Sequence, residues 1–144
     1  MNAKSILILS ALIALSGCHI PAFPKVLPYE KCNQVPPDRL FNKETFSPGA
    51  NKAELRVIHD VGSSGEYGFV TVAIGSTKFA VLRVWESSTI FINPGPHTVD
   101  LYWMDVSDIS ARRPQDSLQI NVTSNSVTTV RIDLGRSNPP LLQT

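Results

Sequence analysis

The chain has 144 residues, a length that fits one domain with a real hydrophobic core. Its 13 basic and 12 acidic side chains leave a formal charge of +1. Binding nucleic acid, or a membrane by charge alone, needs a clustered excess of cations, and this balance argues against both.

Residues 1–17 have the parts of a secretory signal. Lys4 is the only charge before Cys18, and Ile6 to Leu15 runs ten residues with one polar side chain, Ser10. As a helix rising ~1.5 Å per residue, that run covers roughly half of a ~30 Å hydrocarbon core, too little to span it. It ends in Leu15-Ser16-Gly17-Cys18. These four residues resemble the lipobox of bacterial lipoproteins, with an apolar residue three before the cysteine and small residues at the cut. The resemblance implies cleavage before Cys18, diacylglycerol on its thiol and acylation of the new amine. Two or more acyl chains anchor stably, so the membrane is an expected partner through lipid on Cys18. The next residue is His19 and not Asp. In lipoproteins of enteric type that implies delivery to the periplasmic face of the outer membrane. Cleavage would leave 127 residues with 12 basic and 12 acidic side chains. With Cys18 lipidated, Cys32 has no partner in the chain. In an oxidising compartment it is either a shielded thiol or half of an intermolecular disulfide.

Residues 18–37 read as the lipidated cysteine and a spacer rich in proline: Pro21, Pro24, Pro28, Pro36 and Pro37. Proline fixes φ and extends its predecessor, which rules out a helix here and predicts a semi-rigid connector. Val26, Leu27, Tyr29 and Val35 are apolar enough for the later part to pack on the domain. Within the domain at 38–134, only Asp38 to Ala53 offers room for a short helix, and Pro48-Gly49 limits it.

From Glu54 onward the sequence alternates strand after strand. Residues 54–61 place Leu55 and Val57 on one face, and 69–74 place Val70, Val72 and Ile74 together. Gly75-Ser76 is a two-residue hairpin signal leading to 77–84. Then come 89–92, the turn Asn93 to Pro96, and 97–104, where Val99, Leu101 and Trp103 oppose Asp100 and Tyr102. A charged loop at 105–116 precedes strands at 118–122 and 127–134, and a tail at 135–144. About seven strands at this spacing predict an all-β, antiparallel two-sheet sandwich.

The strand region resembles PEGA-type domains, which are small surface-associated β-sandwiches. It is still more similar to a group of proteobacterial lipoproteins of that layout. The matching stretches are Val72-Ala73-Ile74-Gly75, Thr89 to Val99 with its Pro-Gly turn and following His97, and Leu118 to Leu134. Pro36-Pro37-Asp38-Arg39-Leu40-Phe41 resembles that group's opening segment. The turn reads Asn93-Pro94-Gly95-Pro96 and lacks the namesake Pro-Glu-Gly-Ala. The resemblance implies a fold and an envelope location, and no chemistry, since fold alone does not carry function.

Reactive groups are sparse. Of the histidines, His19 neighbours Cys18, His59 and Asp60 leave opposite faces of one strand, and His97 is placed to bond turn backbone. None has a partner at metal-ligand spacing. Gly62-Ser63-Ser64-Gly65 lies between strands without the helix of a nucleophile elbow. Asp105 and Asp108 are loop carboxylates beside Arg112 and Arg113. The expectation is therefore no catalytic residues, no metal and no cofactor. What remains is a candidate partner surface of Trp85, Tyr102, Arg112 and Arg113. The expected role is a non-enzymatic binding or scaffold module of the envelope, facing a protein or polymer. The alternative is an inhibitor or immunity lipoprotein that inserts the 105–116 loop into an envelope-directed enzyme.

Overall fold

A computed structural model describes residues 26–60, 68–103, 108–110, 112–134 and 141–144. The signal segment, Cys18, His19, the Gly62–Gly65 loop and Asp105 lie outside the described residues.

The fold is an all-β sandwich. Its strands are β1 (Asn33–Gln34), β2 (Ala53–His59), β3 (Val70–Ile74), β4 (Thr77–Leu82), β5 (Glu86–Ile92), β6 (Gly95–Trp103), β7 (Asp116–Val122), β8 (Val127–Ile132) and β9 (Leu141–Gln143). One sheet has the order β1-β5-β2-β8-β9 and the other β4-β3-β6-β7. The alternation seen in the sequence builds the core between them. Leu55, Val57, Ile90, Ile92, Val130 and Ile132 from the first sheet meet Val70, Val72, Val99, Leu101, Ile120 and Val122 from the second. Each such side chain contributes about 1.5–3 kcal/mol when fully buried.

Ile74 pairs with Thr77, which leaves Gly75 and Ser76 as the two-residue turn, and Gly75 sits at φ +56°. Gly95 also needs a positive φ, +121°, to start β6. The β3–β4 register then shifts between Val72 and Ala73, so Phe79 is an extra residue in β4. This bulge lets Phe79 join Ala80 and Leu82 in the core, breaking strict alternation. Phe79 meets Phe46 edge-on, with ring centroids 5.9 Å apart.

Three expectations change. Two pairings, β1 with β5 and β2 with β8, are parallel, although the remainder are antiparallel. Side-chain alternation is the same in either direction, so the pattern carries no sign of this. Between Asp38 and Ala53 there is no α-helix, only a 3-10 turn at Pro37–Arg39 and later turns with Asn42 and Asn51 at φ 49° and 63°. Finally, the chain on either side of 38–134 belongs to the fold. β1 pairs with β5 from within the proline-rich stretch, and β9 from the tail pairs with β8.

The lead-in residues 26–41 form a strap across one side of the sandwich. Asn33 and Val35 donate backbone hydrogen bonds to the Trp85 and Ser87 carbonyls at 3.0 Å each. Further on, Leu40 bridges Ala80, and the Phe41 N–H reaches the Phe79 carbonyl at 2.8 Å. One segment thus covers the β5 edge of one sheet and the β4 edge of the other, closing backbone that would otherwise invite pairing. The strap begins where β2, β4, β6 and β8 finish and β3, β5 and β7 begin. This lead-in end is opposite the turns at 75–76, 93–94 and 123–126.

Candidate functional site

Two ion pairs of the described residues, Arg39–Glu86 and Arg131–Asp60, lie at the lead-in end, where they fasten the strap. Arg39 grips both Glu86 carboxylate oxygens, at 2.7 and 2.6 Å, and also donates to the Val81 carbonyl at 3.1 Å. The Arg83 backbone N–H adds a bond to the same carboxylate at 2.8 Å. Burial pushes the Glu86 carboxyl upward, but Arg39, the Arg83 backbone and the two guanidinium charges outweigh it and hold the pKa below its ordinary value. Arg83 and Arg39 also lie over the Phe69 ring, 4.6 and 5.8 Å from its centroid.

A second fastener joins β8 to the start of the strap. Arg131 holds Asp60 through two bonds of 2.8 and 2.9 Å and donates to the Leu27 carbonyl. The Tyr29 hydroxyl pairs with Thr89, and Arg56 covers the Tyr29 ring at 4.4 Å. Cys32 is buried, with its thiol against the Pro28 carbonyl at 3.4 Å. Burial and then the Asp60 carboxylate push its pKa up, so the thiolate that reacts is suppressed. This geometry is that of a shielded thiol.

His59 lies beneath these groups at the end of β2. It is fully buried, and neither ring nitrogen makes a hydrogen bond. Burial lowers its pKa to about 4; the nearby Leu82 and Arg83 backbone, met without hydrogen-bond geometry, and Glu86 act more weakly the other way. Asp60, its sequence neighbour, is turned to Arg131 and forms no pair with it. A base with no exposed face and carboxylates clamped at both oxygens are suited to holding structure, not to moving protons to a substrate.

The four residues expected to face a partner do not form one exposed patch. Arg112 and Arg113 are exposed, in the loop after β6. Trp85 is half-buried at the β4–β5 bend, its backbone held between the His59 carbonyl and the Asn33 N–H, with φ at +62°. Tyr102 is corrected outright. It is buried at 5 % exposure against Ala73 and Ile109, and burial followed by Asp100 raises its pKa. Its strand neighbour Trp103 is the exposed aromatic, at 47 %. The alternation is as expected, but the covering differs. Ile109, from the charged loop, folds over the outer face at Tyr102, while Trp103 falls past the end of the inter-sheet core that stops at Leu101.

Elsewhere the roles are local. Asp108 accepts from the Ser110 N–H and hydroxyl at 2.9 and 2.6 Å, which lowers its pKa. His97 bonds the Asn93 carbonyl at 2.7 Å, the turn-backbone role expected of it. Among the described residues no group of three or more His, Cys, Asp or Glu side chains could hold a metal, and no helix is long and apolar enough to cross a membrane. Clefts of 280, 180, 290 and 150 Å³ border the described residues. The larger two lie at the bottom of the roughly 300–1,000 Å³ range usual for small-molecule sites. No family model matches the chain, and no curated protein or solved structure matches it either.

Proposed function

We propose that this chain is a lipid-anchored, non-enzymatic module of a bacterial envelope. In this reading Cys18 carries the lipid, the outer membrane is the destination, and the sandwich engages an envelope protein or polymer. The likeness to PEGA-type sandwiches belongs to the same reading, and the Asn93–Pro96 turn between β5 and β6 is consistent with it. The observation that carries the proposal is the strap. Leu27, Tyr29, Asn33, Val35 and Arg39 are each bonded to the sandwich, so the fold is gripped from a point only nine positions after Cys18. That is the construction expected of a domain hung from its amino terminus.

Growth with radiolabelled fatty acid tests the anchor: label must enter the wild-type chain and vanish in Cys18→Ala. Membrane fractionation then tests the destination. Pull-down from an envelope extract separates roles, since a single stoichiometric enzyme would point to an inhibitor, and peptidoglycan or a multiprotein assembly to a scaffold. Hydrolysis of peptidoglycan, glycan or ester substrates at ordinary enzymatic rates would refute the non-enzymatic reading.

A further inference from the structure

Four large hydrophobic side chains are exposed among the described residues: Val26 at 55 %, Phe69 at 38 %, Trp103 at 47 % and Val127 at 53 %. Single exposed apolar residues are ordinary on any surface. Their placement here is not scattered. Val26, Phe69 and Trp103 all stand at the lead-in end, and only Val127, at the start of β8, lies at the far end. Continuing the Thr71–Tyr102 register outward sets Trp103 opposite Val70, so Phe69 and Trp103 border the same sheet end from its opposite faces. Phe69 carries Arg83 over its ring. Val26 belongs to the chain that leads back to Cys18.

From this arrangement we infer that the lead-in end rests on the bilayer, with Trp103, Phe69 and Val26 at the headgroup level. The inference rests on the proposed lipid anchor and specifies which surface of the domain that anchor brings to the membrane. The occupant follows from the length of chain before the strap. Val26 lies eight positions after Cys18. At ~3.1 Å per residue for extended, proline-containing chain, those positions reach about 25 Å. The lead-in end is therefore held within about 25 Å of the lipid, where a weak surface preference becomes occupied because the tether keeps the local concentration high. Tryptophan is the side chain most at home in the interface, with an apolar ring and one polar N–H. An arginine stacked on Phe69 can keep its charge among headgroups while its stem and the ring beneath it face the acyl boundary. Charge alone supplies no attraction in a chain this balanced, so the contact is apolar and aromatic.

The test uses the full acylated chain in phosphatidylethanolamine–phosphatidylglycerol vesicles, with ordinary or brominated acyl chains. Trp85 and Trp103 are its two tryptophans, so emission reports on just two places. Brominated lipid should quench the wild type and W85F and blue-shifted emission should accompany it, whereas W103F, left with the half-buried Trp85 at the same end, should be quenched far less. If W85F does not fold, the difference between wild type and W103F carries the same information. Undiminished emission in brominated lipid, or quenching in W103F as strong as in the wild type, overturns the seating. If mass spectrometry of the same sample shows lipid on Cys18, that failure leaves the anchor standing. An unmodified Cys18 overturns both.

Discussion

Replacing His59 with Leu should remove a pH dependence of folding that the wild-type chain carries. The imidazole is buried without a hydrogen-bond partner, and its pKa is lowered from 6.5 to about 4. Above pH 6.5 it is neutral in the folded and unfolded chains alike and contributes no difference. As pH falls, the unfolded chain takes up a proton that the folded one refuses until about pH 4. Stability therefore declines from pH 6.5 to 4 and levels off below. At ~1.36 kcal/mol per pH unit the full decline is about 3 kcal/mol, of which about 2 kcal/mol is lost by pH 5. That is a large share of the roughly 5–15 kcal/mol typical of a domain. Urea unfolding at pH 7.5, 6 and 5, followed by circular dichroism, reads it directly. The wild-type midpoint should move down relative to His59→Leu, with the slope against urea unchanged. Arg39, Arg83, Glu86, Asp60 and Arg131 surround the site in both proteins, so their contributions cancel in the difference. Parallel curves for the two chains would refute the reasoning.

Arg39→Met should cost about 3 kcal/mol, because it strands a Glu86 carboxylate that is largely removed from water; a loss under about 0.5 kcal/mol would mean solvent relieves that group. In the wild type, the stability from the depressed Glu86 pKa is present above the ordinary value of 4.5 and lost as pH falls through the folded value, an acid limb distinct from that of His59. Tyr102→Ala should destabilise by about 3 kcal/mol and Trp103→Ala by under about 1 kcal/mol in chemical denaturation, since only the first ring is packed. The reverse ranking would contradict the burial assigned to the pair. Cys32 should react with a thiol reagent only at the rate of unfolding, and a non-reducing gel should show monomer. A disulfide dimer would show that the strap opens in the native protein.

The sandwich was legible because its seven long strands bury one face, so their apolar residues recur with period two and Gly, Pro, Asn and Ser mark the turns. Strand direction left no trace in that pattern, and the parallel β2–β8 pairing needs the long path the chain takes between them, through β3, β4, β5, β6 and β7. β1 and β9, of two and three residues, are too short to show a period at all. The Phe79 bulge hides similarly, as one residue out of phase in an otherwise regular strand. Tyr102 and Trp103 illustrate a different limit. Their opposite orientations are readable, but which one is covered depends on where Ile109 comes to lie, and that is decided by a loop seven residues away. The fasteners Arg39–Glu86 and Asp60–Arg131 join positions 47 and 71 residues apart, and a single sequence gives no means of pairing them.

Those long-range pairs are also what makes the strap more than a connector. On the proposed lipid anchoring, a flexible tether would transmit position to the domain and nothing about direction, leaving every face equally able to meet the membrane. Here Arg131 fixes the strap's first turn to β8, Tyr29 and β1 fix its middle to β5, and Arg39 fixes its end between β4 and β5. The chain therefore leaves the sandwich at one defined end. Along its length the strap is bonded to strands of both sheets. On that proposal, orientation and edge protection come from the same bonds, so loosening them should affect both together. Arg39→Met is then expected to broaden the environment of Trp103 in lipid as well as lower the urea midpoint. A variant that lost stability while its Trp103 quenching stayed unchanged would separate the two and show that the first turn at Leu27 sets the direction alone.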